Sequence, residues 1–320
     1  MIIHPGSREE WLKLRHSCVS STEVPALFGM SPYITAFELA IGKEQPEPTE
    51  LELGERAEWG LYMERPIAQK FADDYGVKVR KLDSYAVKQE VGIGASFDFE
   101  IVGLKDTAPA GPVLQGLYTN LGAGVMEIKT VDFLIWRDQW PDRDGMQEAP
   151  AHIELQVQAQ LHCLDRKWAA ICVLVGGNTG KLLIRERDED VGKAIEAKVS
   201  AFWRDLRQGK RPPISLPDDA EIIRKIYSYA EPGKVLDAQA DAEMRAICLE
   251  YENARLAATD AENKRKSAQA KLLQKIGDAE KVLVEGYTIS AGMIAPTWIE
   301  RYERKGYRNI RVTAKKEKAA

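Results

Sequence analysis

Two short stretches, Gly94-Ala95-Ser96-Phe97-Asp98 and Val125-Met126-Glu127-Ile128-Lys129-Thr130, decide the fold of this chain. Both alternate apolar with polar residues, the period of a half-buried strand, and a Gly/Pro-rich insertion from Gly103 to Gly124 separates them. In a strand, Glu127 and Lys129 point to one face while Ile128 points to the other. A neighbouring strand carrying Asp98 brings a second carboxylate to the face of Glu127. Two carboxylates held close repel unless a cation lies between them, and a hard divalent ion with oxygen ligands is the usual solution. The alternative is a strand with a solvated Glu and Lys.

An Asp followed by Glu-x-Lys on the next strand resembles the signature of the PD-(D/E)xK nuclease superfamily. The flanking sequence narrows the resemblance, over roughly residues 1–215, to the lambda exonuclease and YqaJ-type viral recombinase family. The fold this implies is α/β (α+β): a restriction-endonuclease-like core with a central mixed sheet flanked by helices. A long helix and a small β-hairpin are expected to follow.

The chain has 320 residues, 44 % of them apolar, with seven Trp. That suffices for one large domain and a smaller one, expected at 1–215 and 216–320. No run approaches a membrane span. The opening Met1-Ile2-Ile3-His4-Pro5 lacks a basic segment followed by an apolar stretch, so a cytoplasmic protein is the expectation. Cys18, Cys163, Cys172 and Cys248 show no CxxC spacing and read as reduced thiols without zinc. Net charge is −4, and residues 232–320 hold 17 Lys and Arg against 13 Asp and Glu, so residues 1–231 are acidic. An acidic body with a nucleic-acid partner implies a restricted, locally basic path.

In chain order, Ser7 to Arg15 reads as a helix with a Ser7/Glu10 capping box and Trp11 and Leu14 inward. Ser20-Ser21-Thr22 then precede a helix through Ala26 to Phe28. These hydroxyls either cap that helix or, with free backbone N–H groups and Arg15, form an anion site. Trp11-Leu12-Lys13-Leu14-Arg15 with Ser20-Ser21-Thr22-Glu23 resembles the family's opening motif, whose Arg and hydroxyl groups bind the 5′-phosphate of the DNA end. Thr22 stands where some relatives carry Ser. Gly29 to Thr35 is similar to the turn that follows.

A Pro/Glu-rich connector, Glu44 to Thr49, leads to a helix from about Leu53 to Tyr75 with the apolar stripe Ala57, Leu61, Ala68, Phe71 and Tyr75. Glu64 falls on that stripe. It must either pair with an Arg or face a metal and water. Gly54, Gly60 and Glu64 resemble the family's Gly-to-Glu helix, whose Glu positions water and metal. Strands are expected near Val77 to Val79 and Ala86 to Glu90. Ser96, two residues before Asp98, matches a phosphate-binding Ser of the family, and Phe97 replaces the common Pro. The Gly103–Gly124 insertion is expected to be a mobile loop.

Phe133 to Trp140 reads as amphipathic, with Trp136 and Trp140 as core. Ala151 to Leu164 reads as a helix with Ile153, Val157, Leu161 and Leu164 inward and Gln156 and Gln160 as half-buried amides beside a groove. Gln156-Val157-Gln158 resembles the family's Gln-x-Gln motif, with Gln156 beside the catalytic centre. Ala169 to Val175 and Lys181 to Glu186 read as strands, and a capped helix from Asp188 stops at Gly209. From Ala240, four-three spacing through Met244, Ile247, Tyr251 and Leu272 predicts a long helix or short coiled coil ended by Gly277. Glu280 to Ser290 and Ile310 to Thr313 alternate like strands. The basic segment Arg301 to Lys318 is either a solvated surface or a nucleic-acid contact.

The resemblance implies a Mg²⁺-dependent 5′-to-3′ exonuclease on linear duplex DNA, with Mn²⁺ as a substitute. Asp98, Glu127, the Ile128 carbonyl and Glu64 would hold the metal, and Lys129 would orient or deprotonate water as the ion lowers its proton affinity. Arg15, Ser20, Ser21, Thr22 and Ser96 would grip the 5′-phosphate, and Gln156 would support the site. It further implies phage or prophage recombination beside a single-strand annealing protein, and a ring-shaped homotrimer. Two rivals are a RecB-like nuclease, whose four cluster-binding Cys this spacing does not supply, and a non-catalytic DNA-end-binding protein. An endonuclease of the same superfamily is the remaining alternative.

Overall fold

The computed structural model describes residues 1–48, 54–106, 112–143 and 145–294. The expected strand at 310–313 and the basic segment 301–318 lie outside them. The chain divides into two compact units, Met1–Ile222 and Ile223–Ala320.

The first unit begins with β1 (Ile2–Ile3) and α1 (Arg8–Ser17). The Ser7 hydroxyl caps α1 by accepting from the Glu10 N–H at 3.2 Å, while the Glu10 carboxylate reaches back to the Gly6 N–H at 2.6 Å rather than to Ser7. Then come β2 (Val19–Ser20), the four-residue α2 (Val24–Leu27), α3 (Ala36–Lys43) and α4 (Glu55–Asp74). The inner face of α4 is Met63, Ile67, Ala68, Phe71 and Ala72. Leu61, expected on that face, is exposed beside Trp59 and Tyr62. The spacing alone could not say where the sheet beneath the helix begins.

Next come β3 (Val77–Lys81), β4 (Tyr85–Lys88), β5 (Ile93–Ser96) and β6 (Phe99–Leu104). The expected mobile loop at Gly103–Gly124 contains α5 (Pro112–Leu121). The insertion's prolines and glycines read as a loop, yet Pro is favoured in the first turn of a helix, where its missing N–H has no partner to lose, and Pro112 opens α5. Leu114, Leu117, Tyr118 and Leu121 then follow at helical spacing, and Leu114 is fully buried in the second core cluster. Tyr118 fixes α5 to β6 by donating to the Val102 carbonyl at 2.8 Å.

After α5 run β7 (Gly124–Val131), α6 (Phe133–Gln139), the short pair β8 (Asp142–Arg143) and β9 (Met146–Gln147), α7 (Ala151–Leu164), β10 (Trp168–Val175), β11 (Thr179–Glu186) and α8 (Glu189–Arg207). Two sheets form. A five-stranded mixed sheet has the order β11-β10-β7-β6-β3, with β7 and β10 parallel and the other pairs antiparallel. A four-stranded sheet has the order β1-β4-β5-β2. The architecture is thus mixed α/β, its sheets flanked by helices, with a central mixed sheet as expected. The separate four-stranded sheet was not foreseen.

Alternation along β7 sorts its side chains onto two helices. Val125 joins the core cluster containing Val157 and Leu161 of α7, whereas Met126 and Ile128 join the cluster containing Ile67 and Phe71 of α4. Glu127 and Lys129 therefore face α7. The close approach of strands to one another is set partly by Gly94: a Cβ there would lie 2.4 Å from the fully buried ring of Tyr85.

The second unit, with α9 (Ala220–Ile226) at the boundary, holds the 35-residue helix α10 (Ala242–Ile276) and the hairpin β12 (Lys281–Val284) and β13 (Tyr287–Ser290). Asp241 caps α10 and Gly277 ends it at φ 58°. No residue of α10 is buried. Among the described residues, no helix is long and apolar enough to cross a membrane.

Candidate active site

Asp98 does not lie within a strand. It occupies the junction between β5 and β6, where the chain passes from one sheet to the other, and Phe99 pairs with Met126. This places Asp98 beside Glu127, and its Oδ2 accepts the Ile128 N–H at 2.8 Å. Burial, then the Glu127 charge, pushes the Asp98 carboxyl well above the usual carboxylate range; Glu64 adds to the effect.

Glu127 is 2 % exposed and carries hydrogen bonds on both oxygens. Oε1 accepts from Lys129 Nζ and from Gln156 Nε2, both at 2.6 Å, and Oε2 accepts from Gln160 Nε2 at 2.7 Å. Lys129 also donates to Gln156 Oε1 at 3.2 Å. Gln156 and Gln160 are one helical turn apart on α7, so they present amides to the same carboxylate. The expectation of half-buried amides facing a groove is corrected: they are 8 % and 1 % exposed. Gln160 was missed as a site residue, although its spacing from Gln156 was the available signal.

The Lys129 amine is opposed by burial but held by Glu127 and Asp98, and the net result keeps its proton more tightly than usual. With the carboxylates alone around it, the direction is opposite to the lowering expected from an ion.

Glu64 projects from α4, close enough to Asp98 to act on its charge. Its partner is Lys81 Nζ at 2.9 Å, rather than an Arg. Lys81 also sits over the Phe99 ring, 5.6 Å from its centroid. Only the β3–β6 pairing, opposite Phe99, brings Lys81 there, so no local pattern announced it.

The expected phosphate-binding residues form a second, linked group. Arg15 Nη2 donates to Thr22 Oγ1 at 3.2 Å, and the Ser20 and Thr22 hydroxyls are 3.0 Å apart. Arg15 lies over the Trp11 ring, and Trp11 Nε1 donates to Ser96 Oγ at 3.1 Å. Of the helix-start N–H groups envisaged for this site, those of Ser20, Ser21 and Glu23 are taken within the protein. The Ser20 N–H donates to Glu23 Oε2, the Ser21 N–H to the Gly94 carbonyl, and the helix that follows is one turn long. Ser21 is 2 % exposed, so Thr22 and Arg15 present the accessible groups. Buried Lys43, unsuspected from sequence, neutralises Glu23 at 2.8 Å.

Among the described residues, no three His, Cys, Asp or Glu side chains gather closely enough to hold a metal ion by themselves. The paired acids nevertheless suit Mg²⁺, which is commonly held by one or two carboxylates with water and substrate phosphate completing its shell. Burial raises the Asp98 carboxyl most, and the further rise from Glu127 and Glu64 is the part that a cation would relieve.

Residues 10–169 match the family described as the YqaJ-like viral recombinase domain. YqaJ of Bacillus subtilis (strain 168) is 26 % identical over 286 residues, covering 88 % of this chain and 82 % of that protein. Among solved structures, the alkaline exonuclease LHK-Exo of Laribacter hongkongensis shares 18 % identity, covers 68 % of this chain and 98 % of its own, and has a TM-score of 0.44. A phage-related exonuclease of Haemophilus somnus 129PT shares 12 % identity, covers 62 % and 97 %, and has a TM-score of 0.40.

Proposed function

The chain belongs to the YqaJ-like viral recombinase domain family, and from that premise we propose that it is a metal-dependent deoxyribonuclease, a 5′-to-3′ exonuclease on linear duplex DNA. The observation that carries this reading is the arrangement of Asp98, Glu127 and Lys129: two acids and an amine share one partly open site, with Glu64 within electrostatic reach.

Asp98, Glu127 and the Ile128 carbonyl would hold Mg²⁺, or Mn²⁺ in its place, with Glu64 reaching its water shell. The ion would supply Lewis-acid stabilisation of the phosphoryl oxygens and a more acidic bound water. Gln156 and Gln160 fix the Glu127 carboxylate, so its geometry is set before substrate arrives. Lys129, which donates to Glu127 at 2.6 Å, would orient or help deprotonate the attacking water and stabilise the negative charge that develops on the scissile phosphate. Lys81 holds Glu64 until DNA competes for it. Arg15 and Thr22, with Ser20 behind them and Ser96 tied through Trp11, receive the terminal 5′-phosphate. One strand is then shortened from that end, leaving a 3′ overhang suited to a single-strand annealing protein in phage-type recombination in a bacterial cytoplasm. A homotrimer around the duplex completes the reading.

A second reading has one observation in its favour: three protein donors already satisfy Glu127, as they would in a structural cluster of a non-catalytic DNA-end-binding protein. Digestion of linear duplex carrying one 5′-labelled, 5′-phosphorylated end in Mg²⁺, beside closed circular DNA, separates the cases. Terminal 5′ nucleotides released from the linear DNA alone support the exonuclease. Cutting of the circle replaces it with an endonuclease, and end binding without digestion favours the second reading.

A further inference from the structure

We propose that Gln160 is a positioning residue that fixes the Glu127 carboxylate and ties it to the strand end carrying Ser96, so that the phosphate-receiving group and the acidic centre are set together. This rests on the nuclease reading above.

The Gln160 amide nitrogen donates in two directions, to Glu127 Oε2 at 2.7 Å and to the Ser96 carbonyl at 3.1 Å. Both neighbours are acceptors. A rotated amide would turn its oxygen against a carboxylate and a carbonyl, so one orientation alone is permitted. The side chain is 1 % exposed, and its Oε1 has no hydrogen-bond partner among the described residues. A buried amide with one end unpaired is a poor choice for packing alone, because an apolar side chain of the same length would leave no acceptor stranded. What the amide provides is direction for Glu127.

Gln156 differs. It accepts from Lys129 and donates to Glu127 Oε1, so it holds the acid and the amine to each other. Among the described residues, Gln160 is the side chain that hydrogen-bonds both Glu127 and β5. From Ser96 the contacts continue through its hydroxyl to Trp11, across the Trp11 ring to Arg15, and from Arg15 to Thr22. A shift of the Ser96 strand end when a phosphate seats against Arg15 and Thr22 therefore reaches Glu127 Oε2 directly through the Gln160 amide, beside the backbone route through Asp98 and Ile128.

The test uses the full chain carrying Gln160→Met, unbranched and of similar length but without a donor. Three quantities are read: melting without metal, the Mg²⁺ concentration giving half of the thermal stabilisation without DNA, and the ratio of initial rates on 5′-phosphorylated and 5′-hydroxyl duplexes. Metal-free melting is expected to stay within a few degrees of wild type. The Mg²⁺ midpoint is expected to rise about tenfold, the scale at which partners of ligating groups act, and the end ratio to fall toward one. An unchanged midpoint overturns the positioning role, and an unchanged ratio overturns the tie to Ser96. If the Met variant does not melt cooperatively, Gln160→Asn, which keeps the amide one methylene short, is read by the same criteria. Absence of Mg²⁺-dependent digestion of linear duplex by the wild-type protein overturns the nuclease reading itself. A wild-type response that Gln160→Met leaves intact overturns only the present inference.

Discussion

The Asp98 carboxylate, at the β5–β6 junction, accepts the backbone N–H of Ile128 in β7 at 2.8 Å, which holds it against the neighbouring carboxylate of Glu127. The fold keeps two like charges together at a cost in stability, as catalytic sites commonly do. Asp98→Asn retains an acceptor for Ile128 and removes one charge. The metal-free variant is expected to melt higher, by about 2–4 °C for each kcal/mol released in a domain of this size. Its stabilisation by Mg²⁺ and its nuclease activity are expected to disappear. Thermal melts with and without Mg²⁺, run beside the digestion assay, check both halves.

Lys129→Met removes the amine while keeping the stem. If Lys129 stabilises charge or moves a proton at the scissile phosphate, activity falls by about 10²–10⁴-fold with DNA-end binding retained. Single-turnover digestion and a gel-shift measurement at the same Mg²⁺ concentration separate the rate from the binding. A loss of binding equal to the loss of rate would assign Lys129 to substrate affinity instead.

Arg15→Met leaves a side chain to cover Trp11 but no guanidinium for Thr22 or a phosphate. Hydrogen bonds to charged groups contribute about 1.5–3 kcal/mol, so the advantage of a 5′-phosphorylated end over a 5′-hydroxyl end is expected to fall by about tenfold or more. The rate on 5′-hydroxyl duplex, measured in parallel, should change little.

Away from the acids, His162 and Lys88 hold the Glu196 carboxyl below its ordinary value of 4.5. A depressed carboxyl stabilises the fold above its ordinary value and loses that contribution as pH falls toward its folded value. Glu196→Gln is therefore expected to lower the melting temperature between pH 6 and 8, on the order of one to a few degrees. The gap from wild type should narrow as pH falls below 4.5 toward the depressed value of the carboxyl. A gap independent of pH would show that packing, not charge, carries the effect.

Gly94→Ala would set a methyl 2.4 Å from the Tyr85 ring, which is fully buried and has no room to withdraw. Overpacking of this kind costs about 1–3 kcal/mol. The melting temperature falls accordingly, and because β5 ends at Ser96, the 5′-phosphate preference should weaken with it.

Much of this protein is written in local pattern. The two-residue alternation of β7 places Glu127 and Lys129 on one face and Ile128 on the other, and the structure has Ile128 in the core below α4. Helical spacing located α1, α7, α8 and α10, and capping residues such as Ser7, Asp188 and Gly277 marked ends of α1, α8 and α10, because caps act within one turn of the chain. The Gly/Pro content of the Gly103–Gly124 insertion misled for an equally local reason, since a proline such as Pro112 can break one segment and open the next.

The sequence by itself determined which residues carry charge or hydroxyls and which face of each element they occupy, since both follow from composition and backbone period. Tertiary structure alone decided who meets whom. Lys81 reaches Glu64 only because β3 pairs with β6, Lys43 reaches Glu23 across 20 residues, and Gln160 reaches Glu127 because α7 covers that face of β7. Such meetings depend on strand order and helix placement, which long-range burial of apolar surface selects and no short window of sequence contains.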